Sequence, residues 1–219
     1  MTGIDKMGKR ADRAARWMLV TVMLGACTQA ADRDMLFAIK KNRADVVREM
    51  IRQGHPIEAH KSGNTLLMVA AAGGKTEVVQ ALIEEGADVN AETYGFTPLL
   101  LSLKKAKKPA AKLLIENGAD INRDRYGITP LMIASEKNML ETVQLLLEKG
   151  VDVHTKDPGG WTALHYAVHI GRKDIVPILL DAGADINALS RDGKRPLFYA
   201  ISWEREEIVA MLVERGATE

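Results

Sequence analysis

Cysteine is nearly absent: Cys27 is the single one in 219 residues, so no disulfide can form within the chain. Aromatic residues make up only 5% of it, and no excess of one charge builds up, the net value being +1. Beyond residue 26 the balance is slightly acidic, which argues against the basic surface that a nucleic-acid backbone requires. Long hydrophobic runs are missing too. The N-terminal apolar block Trp17 to Ala26 (WMLVTVMLGA) has ten residues, about 15 Å of helix against about 30 Å of hydrocarbon, so it cannot span a bilayer. What is present is 47% hydrophobic residues, enough for a substantial core and too many for a disordered chain.

The basic residues Lys6, Lys9, Arg10, Arg13 and Arg16 all precede that apolar block, the order of a signal peptide, expected over residues 1–26. Met7 would serve as a start as well as Met1, since it leaves a shorter basic region. The block ends in LGAC, where small Gly25 and Ala26 precede Cys27. This string resembles the lipobox of bacterial lipoproteins, whose cysteine is acylated and becomes the first mature residue. The resemblance implies lipidation at Cys27, with residues 27–32 a short tether and more than one acyl chain holding the protein to the membrane. The other reading is an uncleaved helix over residues 7–26 packed on the domain, with Cys27 an ordinary small residue. Thr28, in place of Asp, favours the outer over the inner membrane by the sorting pattern of enteric-type lipoproteins.

From there on the sequence repeats itself. Gly54, Gly86, Gly118, Gly150, Gly183 and Gly216 recur at almost equal intervals. A period of about 33 residues marks a stacked-repeat architecture. The glycines open related strings, GADVNAE, GADINRD, GVDVHTK and GADINAL. A second marker lies at one fixed distance before each of the last five: TLL at Thr65, TPL at Thr97 and Thr129, TAL at Thr162 and RPL at Arg195. Thr97 and Thr129 are placed to cap a helix whose first turn holds Pro98 or Pro130, where a missing donor costs little. The glycines follow apolar runs such as VVQALIEE and TVQLLLEK, where a left-handed residue would end a second helix. The Asp and Asn that follow suit a tight turn. Two short amphipathic helices per repeat are therefore predicted, neither stable without neighbours.

These strings, with TALHYA and IVPILLDAGADINA, resemble ankyrin repeats over residues 33–219. The resemblance implies an all-α solenoid of about six stacked helix–turn–helix repeats with hairpin loops. Its units are an N-terminal cap repeat at 33–60, then 61–92, 93–124, 125–157 and 158–190, and a C-terminal cap repeat at 191–219. Lys40 to Arg43 and Glu204 to Glu207 are read as polar outer faces of those caps. The first three full intervals lack one residue of the usual ankyrin length, so their hairpins are expected to be tighter than the family norm.

Catalytic chemistry finds little footing. His165 and His169 stand four apart on one predicted helix, as two metal ligands would, but Tyr166 replaces the Glu a zinc protease needs, and His165 falls at the ankyrin TPLH histidine. Asp88, Asp120, Asp152 and Asp185 recur with the repeat and belong to its turns. No enzyme, metal or cofactor is expected.

Binding remains. By resemblance, ankyrin domains hold partner proteins with their hairpin tips and the exposed ends of their first helices, which line a concave face. Carried over, the predicted partner-binding residues are Tyr94, Phe96, Lys104 and Lys105, then Tyr126, Ile128, Glu136 and Lys137, then Trp161, His169 and Ile170, and finally Lys194 and Trp203. Phe37, Tyr166, Phe198 and Tyr199 are assigned to packing between helices. The expected function is a monomeric, membrane-anchored protein-interaction module of the bacterial envelope facing the periplasm, with a protein as partner and no nucleic acid. An immunity or inhibitor protein that neutralises a toxin or enzyme is the alternative. A third reading is an envelope-structural role, in which the run Lys104, Lys105, Lys107, Lys108 and Lys112 touches peptidoglycan or lipid.

Overall fold

The structure, a computed structural model, describes residues 31–58, 60–61 and 63–218. Twelve helices are described, in six pairs. Helix α1 runs over 31–40 and α2 over Ala44–Arg52. The next pairs are α3 Leu66–Gly73 with α4 Thr76–Glu84, α5 Pro98–Lys104 with α6 Lys108–Glu116, and α7 Pro130–Glu136 with α8 Leu140–Glu148. The last are α9 Ala163–Ile170 with α10 Ile175–Asp181, and α11 Pro196–Ser202 with α12 Glu206–Glu214. First helices pack on first helices and second on second, giving two rows, and each pair packs internally. The all-α solenoid of six repeats read from the sequence is what the chain forms.

The local signals act as their chemistry requires. Thr65, Thr97 and Thr129 each accept the backbone N–H three residues on, at 3.2, 3.2 and 3.3 Å. The periodic glycines all have positive φ, from Gly150 at 80° to Gly54 at 98°. Each lets the following N–H turn back to a carbonyl inside the helix, as Ala87 does to Leu82 at 2.9 Å, which removes an orphaned acceptor. Behind four of these glycines, Asp88, Asp120, Asp152 and Asp185 accept from the backbone two residues on at 2.9 Å. Asn90 then stitches repeats together, its side chain accepting from Asp120 N at 2.7 Å and donating to Gly118 O at 3.1 Å.

The first three hairpins are short. Strand β1 (His60–Lys61) pairs antiparallel with β2 (Asn64–Thr65), and bridges join Thr93 to Phe96 and Arg125 to Ile128. Only Tyr94–Gly95 and Tyr126–Gly127 separate the bridged residues, and all four have positive φ, the geometry of a two-residue hairpin turn. The fourth hairpin closes one residue wider, from Asp157 N to Trp161 O at 2.9 Å.

Two expectations need correction. The first helices are not simply amphipathic: α3 buries Leu66, Leu67, Met68, Ala70 and Ala71, because it has neighbours on several sides. Of the residues near 40 and 204 read as polar outer faces, Asn42 and Arg205 turn inward instead, while Lys40, Lys41, Arg43, Glu204, Glu206 and Glu207 are exposed. The Asn42 side chain donates to Glu77 of the second repeat. Arg205 folds back to donate to His169 O at 3.4 Å, as Arg172 does to Glu136 O at 3.0 Å, each satisfying a helix-end carbonyl. The outer face of the last repeat also carries Phe198, Ile201 and Val213, 41%, 47% and 55% exposed.

Candidate protein-interaction face

The hairpin tips and first-helix ends bring the predicted residues into two neighbouring patches and one outlier. In the first patch, Tyr94 and Tyr126 stand at adjacent turn tips, 81% and 74% exposed. Each is at the first turn position, whose left-handed backbone turns the side chain outward from the stack. Phe96 and Ile128, on the returning limbs of the same hairpins, are half-buried. With Leu100, Lys104, Arg125, Ile133, Glu136 and Lys137 they line a cleft of about 270 Å³. Lys104 and Lys105 are exposed at the end of α5, while Lys137 pairs with Glu136 at 2.8 Å at the end of α7.

Cations and rings alternate here. The Arg125 guanidinium lies 3.8 Å from the Phe96 ring centroid and 4.5 Å from that of Tyr126, and the Lys104 ammonium is 5.0 Å from that of Phe96. Such contacts are attractive because the ring face is electron-rich. Arg125 is not among the residues the sequence nominates. Its placement depends on two hairpins stacking, which no single-repeat pattern encodes; the only local hint is its position beside a Tyr-Gly turn.

The second patch is an aromatic cluster. Trp161 is half-buried at its centre, with ring centroids of Tyr199 at 4.7 Å, His169 at 5.1 Å and Tyr166 at 5.4 Å. The His169 ring lies 4.9 Å from Trp203, which is 53% exposed. Ile170 ends α9 half-buried beside it. Asp157 fixes the hairpin below, accepting from Trp161 N at 2.8 Å and from the Tyr166 hydroxyl at 2.7 Å. Burial, reinforced by that bond to Asp157, pushes the Tyr166 phenol far above its ordinary range. Trp161 and His169 thus hold the face together as much as they present it.

Lys194 is the outlier. Its ammonium sits 4.2 Å over the Phe198 ring, and Phe198 occupies the place that in the fifth repeat belongs to His165, 0% exposed beneath the next hairpin. Lys194 therefore belongs to the end of the stack. Phe37 and Phe198, assigned from sequence to helix packing, are 63% and 41% exposed, whereas Tyr199 is buried as expected. Their helix positions are those the sequence indicates, but they lie at the two ends of the described stack.

The histidine pair is built into the packing of the face. His165 is buried with Nδ1 accepting from Thr162 N at 3.2 Å, and burial depresses its pKa to about 4. His169 is lowered as well, first by burial and then by the nearby Arg205 charge. Among the described residues no three His, Cys, Asp or Glu side chains cluster closely enough to hold a metal ion.

A solved ankyrin repeat domain from Acinetobacter baumannii AYE is similar to this chain, with 32% identity, a TM-score of 0.77, and coverage of 85% of this chain and 100% of that one. No curated protein matches. The family description "Ankyrin repeats (3 copies)" matches residues 35–125, 90–157 and 131–218, which span both patches and nearly all the described residues. The chain belongs to the ankyrin-repeat family, whose members are generally protein–protein interaction modules.

Proposed function

We propose that this protein is a lipid-anchored module of the bacterial cell envelope that faces the periplasm and binds a partner protein on the face formed by its hairpin tips and first-helix ends. The observation that carries the binding reading is the set of exposed rings on that face, Tyr94, Tyr126 and Trp203. Exposed Tyr and Trp are the usual anchors of protein interfaces. Apart from the terminal aromatics Phe37 and Phe198, the large rings of the described chain gather there.

The anchor rests on the order basic stretch, apolar block and LGAC ending at Cys27, which lies outside the described residues. It is consistent with the described helices, none of which is long and apolar enough to cross a membrane. Two measurements test the two halves. Affinity capture from envelope extract, run beside a Tyr94→Ala/Tyr126→Ala/Trp203→Ala variant, should retain a protein on the parent alone; equal retention removes the face assignment. Metabolic labelling with a radioactive fatty acid should mark the parent and not Cys27→Ser, and an unlabelled parent would remove the anchor while leaving the binding face standing.

A further inference from the structure

Arg125 has the geometry of a receptor for a carboxylate. Its guanidinium lies over Phe96 and over Tyr126, 3.8 and 4.5 Å from their ring centroids, and its Nε donates to Tyr94 O at 3.3 Å. Both ring contacts and the Nε bond fix the plane of the group, so little rotamer freedom is lost when something binds its outer edge. That edge is unspent: among the described residues no carboxylate pairs with Arg125 or with Lys104, whose ammonium lies over the same Phe96 ring at 5.0 Å. The neighbouring acids are already engaged. Glu136 pairs with Lys137 at 2.8 Å, Glu92 with Arg123, and Asp124 accepts from Gly127 N at 2.6 Å. Two cations are thus held over one ring beside a cleft whose walls include Phe96, Leu100, Ile128 and Ile133. At about 270 Å³ that cleft falls below the ~300–1,000 Å³ of small-molecule sites and suits one large side chain of a peptide.

We propose that this patch recognises a segment of the partner protein in which an Asp or Glu stands directly beside a large apolar residue: the carboxylate bridges Arg125 and Lys104, and the apolar side chain fills the cleft. The proposal rests on the binding-face reading and names the chemistry that face selects. A charged pair between a planar guanidinium and a carboxylate is both stronger and more directional than a neutral hydrogen bond.

The test uses the full-length chain, purified in mild detergent, immobilised and panned against displayed random seven-residue peptides. One library holds the peptides between fixed flanks, and the other ends in a free C-terminus. The expected result is enrichment of Asp and Glu over Asn and Gln by about fivefold or more at one position in the flanked library, with Leu, Phe, Ile, Met or Trp adjacent. On Arg125→Gln the acidic preference should vanish while the apolar one persists; Arg125→Lys, which keeps the charge but not the planar fork, should retain only part of it. Enrichment confined to the free-ended library would replace the side chain by a terminal carboxylate and overturn the proposal as stated. No acidic preference, no recovery above background, or the same preference on Arg125→Gln would overturn it as well. In any of those cases, partner retention that still depends on Tyr94, Tyr126 and Trp203 leaves the binding-face reading intact.

Discussion

The imidazole Nδ1 of His165 lies 3.0 Å from Thr162 Oγ1 and accepts from the Thr162 backbone N–H at 3.2 Å. Nδ1 is therefore the unprotonated nitrogen, and the proton sits on Nε2, which faces Lys194 O at 3.5 Å. Thr129 makes the matching contact in the fourth repeat with a methionine, its N–H meeting Met132 Sδ at 3.5 Å. A buried thioether and a neutral imidazole fill the same place.

That equivalence sets the first prediction. Burial depresses the His165 pKa from 6.5 to about 4, so the folded state refuses a proton the unfolded state accepts. The contribution is neutral above pH 6.5, and stability falls as pH drops from 6.5 towards about 4, by up to about 3 kcal/mol at the lower end. His165→Met should be within about 1 kcal/mol of the parent at pH 7 and should lack that part of the acid sensitivity. Urea unfolding of both proteins between pH 7 and pH 4 checks it; parallel pH profiles would show that His165 does not titrate as described.

The second prediction concerns the turn between the helices of each repeat. Asn42, Gly74, Ala106, Asn138, Gly171 and Glu204 all have positive φ, between 51° and 81°. Ala and Glu are poorly suited to this left-handed conformation, which costs a non-glycine residue about 1–2 kcal/mol. Ala106→Gly should therefore stabilise the protein by about 0.5–1 kcal/mol net of the entropy glycine adds to the unfolded chain, or a few degrees in Tm. The reverse change, Gly74→Ala, should cost more than the Ala106 strain alone, because the new Cβ would meet Lys107 Cδ at 2.9 Å. Thermal unfolding of both variants checks the pair, and a destabilised Ala106→Gly would show that the backbone there is not strained.

Much of this was legible in the sequence because the repeat prints each signal several times. The TPL threonines and the evenly spaced glycines located the helix starts and ends. What escaped is what depends on neighbours. The left-handed positions just described are filled by four residue types, so no single letter marks them. Arg125 is called into place by Phe96 and the Tyr94 carbonyl, both in the preceding hairpin, and its role exists only once two hairpins stack. Phe198 sits where internal repeats bury a side chain, as at Met132 and His165, and only its place at the end of the described stack leaves it exposed.

The third prediction separates presenting residues from structural ones on the binding face. Tyr94 and Tyr126 are 81% and 74% exposed, so their replacement by Ala should change stability by no more than about 0.5 kcal/mol. Trp161, enclosed by Tyr166, His169 and Tyr199, should cost about 3 kcal/mol or more when cut to Ala. Differential scanning calorimetry would reveal it, and a large loss at Tyr94 would mean that the tip is part of the scaffold.

The last prediction compares like positions at the end and in the middle of the stack. Ile201 corresponds to Val168 one repeat earlier: Val168 is 0% exposed beneath α11, while Ile201 is 47% exposed. The same side-chain class thus has two energetic meanings. Val168→Lys would bury an unpaired ammonium and remove core contacts, a loss of several kcal/mol. Ile201→Lys leaves its charge in water and disturbs only the outer surface of the last repeat, so its effect on stability should stay below about 1 kcal/mol. Equilibrium unfolding of the two variants measures the contrast at dilute protein concentration. If Ile201→Lys proved as damaging as Val168→Lys, the outer face of α11 and α12 would be covered in the folded protein rather than open to water.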